Sequence, residues 1–150
     1  MDTQTRRCIL EEAQSWLGTP FHHKGRVKGV GCDCGGFIYE VFGKFVPSIK
    51  PFPKSYAEDW SVHQGQELYL NFVQKYFTRT NKPQIGDIAV FKFGRCFSHG
   101  AIHTGDGRYI HAWGRTEHGC VQISSREFFN IRYRGIRPCL DFTLEDEWLH

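Results

Sequence analysis

No stretch of this 150-residue chain approaches the roughly 20 apolar residues needed to span a bilayer, so membrane insertion is not expected. Internal repeats and low-complexity tracts are also missing, which excludes solenoids and compositionally driven disorder. Neither sign of charge dominates: 19 Lys and Arg stand against 16 Asp and Glu, a net charge of +3, and the positive residues are scattered. A nucleic-acid partner is therefore not expected. The opening from Met1 to Arg7 is polar, without the basic-then-apolar layout of a secretory signal, and predicts synthesis in the cytoplasm without export by that route. Cysteines are not scarce: six are present (Cys8, Cys32, Cys34, Cys96, Cys120, Cys139), but without an export signal, and with a chain long enough to build a core unaided, free thiols are expected.

What is present suits one globular domain over residues 1–150, with 40% hydrophobic and 15% aromatic residues. Ile9, Ala13, Trp16 and Leu17 recur at helical spacing, then Gly18 caps and Pro20 blocks continuation. A glycine-rich loop runs from Lys24 to Gly31. Its Lys24, Arg26 and Lys28 are either a solvated face or an attractor for an anionic polymer. A second helix is predicted from Cys34, with Asp33 as N-cap and Phe37, Ile38, Val41, Phe42 and Phe45 on its buried face. Ser55 and Glu58 have capping-box spacing, and Leu68, Phe72, Val73, Tyr76 and Phe77 mark another helix. From Gly86 the pattern turns to short strands: 88–93, 100–104, 108–113, 120–124 and 131–137. Helices first and antiparallel strands second make an α+β domain.

Two segments carry chemistry. In Gly31-Cys32-Asp33-Cys34-Gly35-Gly36-Phe37 a cysteine falls on the first turn of a helix. Unpaired N–H groups there are expected to lower a thiol pKa and can hold an oxyanion, which predicts faster alkylation of Cys34 than of the other cysteines at neutral pH. Cys34 lies on the helix side of Asp33, whereas Cys32 is still in the loop. The plain alternative is a small buried hydrophobe. The second segment runs from Ser98 to Ala112, two β runs around Gly105-Asp106-Gly107. If that loop has three residues, Thr104 pairs with Arg108 and His99 lies opposite Trp113. His111 is then a diagonal neighbour of His99 on one face, about 7–8 Å away. His99 would act as base and His111 would orient it, with His103 a rival on the same face. Zinc is the competing reading for Cys32, Cys34, His99 and His111. Only one residue separates the cysteines where structural zinc sites favour two to four, and no second pair follows, so no metal is expected.

Trp16-Leu-Gly-Thr-Pro-Phe21, Lys28-Gly-Val-Gly-Cys-Asp-Cys-Gly-Gly-Phe37, Pro53-Lys-Ser-Tyr-Ala-Glu-Asp-Trp60, Gly86-Asp-Ile-Ala-Val-Phe91, Ser98-His99 and Ile110-His-Ala112 occur in the order found in one family. On these motifs, from residue 8 to about 137, the chain resembles the NlpC/P60 cysteine peptidases, and within them the phage and gene-transfer-agent cell-wall peptidases. The resemblance implies a papain-like fold, with N-terminal helices, one bearing the cysteine, on a C-terminal antiparallel sheet. It implies Cys34 as nucleophile, His99 as base and His111 as the third polar residue, with no cofactor. The implied substrates are peptidoglycan stem peptides cut at D-γ-glutamyl–diamino acid bonds, and Asp33 is either a contact for the free amine of such a peptide or a helix cap. Phage tail proteins are implied partners, with a virion-associated protein acting in the cell envelope. Two positions depart from the family: Phe21 stands where tyrosine is usual, with Tyr56 as a stand-in, and Gly35 where serine is usual. The other readings are a catalytically weak tail-tip or assembly protein, and a papain-like acyltransferase. Circularly permuted relatives of the latter kind place histidine before cysteine; here Cys34 comes first.

Overall fold

Asp2 opens the first helix, α1 (Thr3–Ser15), by accepting the Thr5 N–H at 2.7 Å. The computed structural model describes residues 1–51, 67–132, 135 and 138–149. Ile9, Ala13 and Trp16 are buried as the periodicity requires, but the helix ends before Leu17, which is 41% exposed. Gly18 then takes φ +83°, a left-handed conformation that suits glycine. Arg6, on the inner face of α1, pairs with Asp87 at 2.7 Å and also reaches the Ile85 carbonyl and Thr143. Removing either partner of such a buried pair costs about 3–5 kcal/mol, so it ties α1 firmly to the sheet.

The glycine-rich loop is not wholly irregular. Arg26–Val27 (β1) and Gly31–Cys32 (β2) pair as a two-stranded hairpin whose Val27 and Val30 are exposed. Helix α2 (Cys34–Gly43) follows with Asp33 as its cap; Phe37, Ile38, Val41 and Phe42 are fully buried, while Phe45 falls beyond the helix end. Helix α3 (Leu68–Tyr76) buries Tyr69, Phe72, Val73 and Tyr76. Phe77 does not extend α3. It starts strand β3 (Phe77–Arg79) and is buried there. The capping box at Ser55 and Glu58 lies outside the described residues.

Strands β4 (Ile88–Phe93), β5 (Cys96–His103), β6 (Arg108–Ala112), β7 (Val121–Ser125) and β8 (Cys139–Leu144) join β3 in a six-stranded sheet of order β3-β8-β4-β5-β6-β7. Every neighbouring pair is antiparallel. Ile102 pairs with Ile110 and His103 with Tyr109, and the Thr104 N–H reaches the Arg108 carbonyl, so the hairpin loop has the three residues Gly105 to Gly107. Of the strand expected over 131–137, the first two residues are corrected: Ile131 and Arg132 end a fourth helix, α4 (Arg126–Arg132), started by Ser125 Oγ accepting the Phe128 N–H, and strand β8 begins at Cys139. Phe128 and Phe129 explain the change: placed helically, Phe129 buries itself completely against the sheet.

The sheet has two covered faces. Ile88, Val90, Ile102, Ile110, Ala112, Phe142 and Leu144 pack with residues of α1, α2 and α3 in one core. Ala89, Phe91, Phe93, Ala101, Tyr109 and Trp113 form the other, closed by Phe129 of α4. Among the described residues no helix is long and apolar enough to cross a membrane.

Candidate active site

Asp33 organises the cysteine. Its Oδ1 accepts the Gly36 N–H at 2.8 Å, its Oδ2 accepts the Lys24 N–H at 2.8 Å, and its backbone carbonyl takes the Phe37 N–H. Both carboxylate oxygens are thus used by backbone, fastening the loop to the helix start. The cap leaves the N–H groups of Cys34 and Gly35 outside it. Gly36 allows the close approach: a Cβ there would stand 2.1 Å from the Gly25 carbonyl oxygen.

The partly exposed Cys34 packs at the edge of the helix-side core, and its thiol donates to the Ser98 carbonyl at 3.6 Å. The backbone N–H groups of Gly100 and Gly35 act on the sulfur in the direction that favours its ionised form. Among the described residues β6 pairs with β5 only at Ile102 and His103, which leaves the side of β5 facing β6 between Ser98 and Gly100 open to the thiol. Tyr69 adds a contact not anticipated from sequence: its hydroxyl donates to the Cys34 carbonyl at 3.2 Å. It reaches that carbonyl because residue 100 is glycine; a Cβ there would lie 2.0 Å from the Tyr69 oxygen.

His99 and His111 meet as the three-residue loop requires, with His99 Nε2 and His111 Nδ1 2.8 Å apart. His99 sits among Phe93, Trp113 and Phe129, on the sheet face that α4 covers and opposite the one packed by α1, α2 and α3. Among the described residues no hydrogen bond joins the thiol to the His99 ring; the sulfur is bonded to the residue that precedes it. His103 shares the His99 face but is occupied elsewhere, its Nε2 2.7 Å from Asp141 Oδ1.

Burial sets the protonation states. It pushes the Cys34 thiol up to about 12, with the Asp33 carboxylate adding to the effect and the two backbone N–H groups opposing it. The helix start was expected to lower this value, but loss of solvent outweighs two N–H donors. His99 is pushed well below its usual 6.5 by burial, then by His111 and Arg115, and burial takes His111 down to about 3. At neutral pH thiol and rings are therefore all uncharged.

Phe21 packs against Gly114, where a Cβ would come within 2.4 Å of its ring, and helps line a cleft of about 450 Å³ with Pro20, Glu117, His118 and Cys120. Gly35 is the buried second residue of α2. Tyr56 lies outside the described residues. The basic cluster is partly neutralised: Lys28 pairs with Glu12 at 2.8 Å, and Arg26 lies over the Tyr39 ring. Among the described residues no group of three or more His, Cys, Asp or Glu is arranged to hold a metal. Sequence reasoning also missed Ser124, whose Oγ lies 2.8 Å from His111 Nε2, and Gln122, whose amide donates to that Oγ at 2.9 Å. The alternating polar residues of β7 were the available signal, usable only once its register with β6 is known.

A profile of the NlpC/P60 family matches residues 18–137. Gamma-DL-glutamyl hydrolase of Bacillus subtilis (strain 168) is 26% identical over 141 residues, which cover 93% of this chain and 30% of that protein. The chain thus spans less than a third of that relative's length. Among solved structures, the NlpC/p60 domain of the peptidoglycan hydrolase SagA matches with a TM-score of 0.58 at 21% identity, covering 93% of this chain and 97% of that one. A lipoprotein-like NLP/P60 family protein of Staphylococcus aureus subsp. aureus Mu50 matches with a TM-score of 0.53 at 21% identity, covering 83% and 37%. These likenesses show the fold: an α+β, papain-like arrangement of helices on an antiparallel sheet.

Proposed function

The chain belongs to the NlpC/P60 family, and from that premise we propose that it is a cysteine peptidase cleaving amide bonds in the stem peptides of bacterial peptidoglycan. Cys34 is the nucleophile, His99 the base and His111 the residue that orients it. The observation that carries the reading is the union of a helix-start cysteine, bonded to the backbone beside His99, with a His99–His111 pair 2.8 Å apart.

The chemistry follows from the protonation states. His99 Nε2 is occupied by His111, so Nδ1 is the atom available to the thiol proton. With a thiol near 12 and a ring below 6.5, the free ion pair is disfavoured by more than about 7 kcal/mol, at 1.36 kcal/mol per pKa unit. The proton therefore moves as the sulfur–carbon bond forms, once bound peptide tightens the contact; catalytic hydrogen bonds are commonly loose before substrate binds. Cys34 Sγ attacks the carbonyl and its proton passes to His99. The Cys34 backbone N–H supports the oxyanion. The C–N bond then breaks, the proton goes to the leaving nitrogen, and a thioester remains. Water attacks that thioester, giving a proton to His99 that returns to sulfur as the carboxylic acid leaves.

The bond we assign is D-γ-glutamyl–diamino acid, a choice supported by the name of the B. subtilis relative. Phe21 and Gly35 border the bound peptide, while Asp33 acts by holding the loop on α2. Mass spectrometry of purified stem peptides tests the assignment. Wild-type protein should release the two fragments of that bond, and Cys34→Ala should release none while its stability changes by no more than about 1–2 kcal/mol. Cleavage by Cys34→Ala at the wild-type rate would refute it. Association with a phage tail rests on the sequence resemblance, and co-sedimentation with purified virions tests it.

A further inference from the structure

The hydrogen-bonded line that begins at His99 does not stop at the second histidine. His111 Nε2 continues to Ser124 Oγ at 2.8 Å, and the Gln122 amide donates to the same oxygen at 2.9 Å. His111 is fully buried and Ser124 is 6% exposed. β7 supplies both partners because Gln122 pairs with His111 and Ser124 with Tyr109, two residues apart on one face.

A neutral imidazole carries one N–H and one bare nitrogen, so the line has only two self-consistent polarities. In the first, His99 Nε2–H donates to His111 Nδ1, and His111 Nε2–H donates to Ser124; His99 Nδ1 is then bare. In the second, the Ser124 hydroxyl donates to His111, His111 Nδ1–H donates to His99, and the proton on His99 Nδ1 blocks it as a base. When His99 gains a second proton, only the first polarity remains open, and Ser124 must then accept. Its oxygen has two lone pairs, one for His111 and one for Gln122. Without that acceptor, the working polarity would leave a buried N–H orphaned, which is the costly kind of defect.

We propose that Ser124, held by Gln122, is a positioning residue that sets the polarity of the His99–His111 pair so that His99 Nδ1 is free to take a proton. The proposal rests on the peptidase reading for its kinetic consequence, but not for its structural one. Histidine ring 15N spectra of the whole labelled protein read the structural part directly. The wild type should carry its ring proton on Nε2 in both His99 and His111. Ser124→Ala should shift His111, and with it His99, toward the opposite tautomer. On stem peptides Ser124→Ala should lower kcat about tenfold with KM within about twofold, and Ser124→Thr, which restores a hydroxyl, should recover kcat to within about threefold.

A proton on His99 Nδ1 in the wild type overturns the proposal. So does wild-type kcat in Ser124→Ala, or a kcat loss with both tautomers unchanged. If Ser124→Ala does not fold, the wild-type tautomers decide alone. If they are as expected while the wild type cleaves no stem peptide, the peptidase reading has failed and the polarity assignment stands.

Discussion

Raising the pH in an alkylation experiment probes the central electrostatic claim, that the resting Cys34 is a neutral thiol. Iodoacetamide reacts with the thiolate, so the rate follows the ionised fraction. With the thiol at about 12 in place of its ordinary 9.0, that fraction at pH 7 is about 10⁻⁵ against about 10⁻², roughly a thousandfold difference. Cys34 should therefore alkylate about a thousandfold more slowly at pH 7 in the folded protein than in the urea-unfolded chain. Its rate should climb about tenfold per pH unit to about pH 11 without a plateau. Limited access of the reagent lowers every rate but leaves the slope unchanged. Fragment-ion mass spectrometry separates Cys34 from Cys32, whose thiol is also pushed to about 12, first by burial. A second arm uses Asp33→Asn, which keeps an acceptor for the Gly36 N–H and removes the like charge; the rate at pH 7 should rise, by less than the burial effect, since burial is the larger cause. A plateau at or below pH 8, or Cys34 outpacing the other cysteines at pH 7, would refute the reasoning. It would mean that the helix start and the histidine pair outweigh desolvation.

The proposed base should tolerate acid: because burial holds His99 unprotonated well below 6.5, kcat/KM on stem peptides should stay flat from pH 8 to below pH 6, and a fall beginning near 6.5–7 would contradict the burial argument. Gly36→Ala gains about 1 kcal/mol of helix propensity but places a Cβ 2.1 Å from the Gly25 carbonyl, so thermal unfolding should show a net loss of about 1–3 kcal/mol; a stabilised variant would mean the loop gives way freely. His103→Gln should keep turnover within about threefold, because that ring serves Asp141, whereas His99→Ala should lose about 10²–10⁴-fold; equal losses would reinstate His103 as base.

Much of the local structure was legible because its causes are local. Asp33 capping α2 and Gly18 ending α1 depend on residues three or four positions away, and Gly105-Asp106-Gly107 sets the loop that puts His99 and His111 on one face. Other features depended on partners far along the chain. Strand β8 fills the gap between β3 and β4, and no signal near Cys139 foretold it. The segment from Ile131 alternates like a strand, yet Ile131 and Arg132 end a helix whose Phe129 covers the outer sheet face.

The amino-acid order alone determined the family, the cysteine at a helix start and the paired histidines, since each is written in short-range spacing. Tertiary structure decided whether the thiol is charged, which nitrogen of His99 is occupied, and that Tyr69 and Ser124 join the site. Cys34 meets Tyr69 across 35 residues and Ser98 across 64, and the desolvation that governs its ionisation exists only when those segments close around it. Burial is a property of the assembled chain, and no window of sequence contains it.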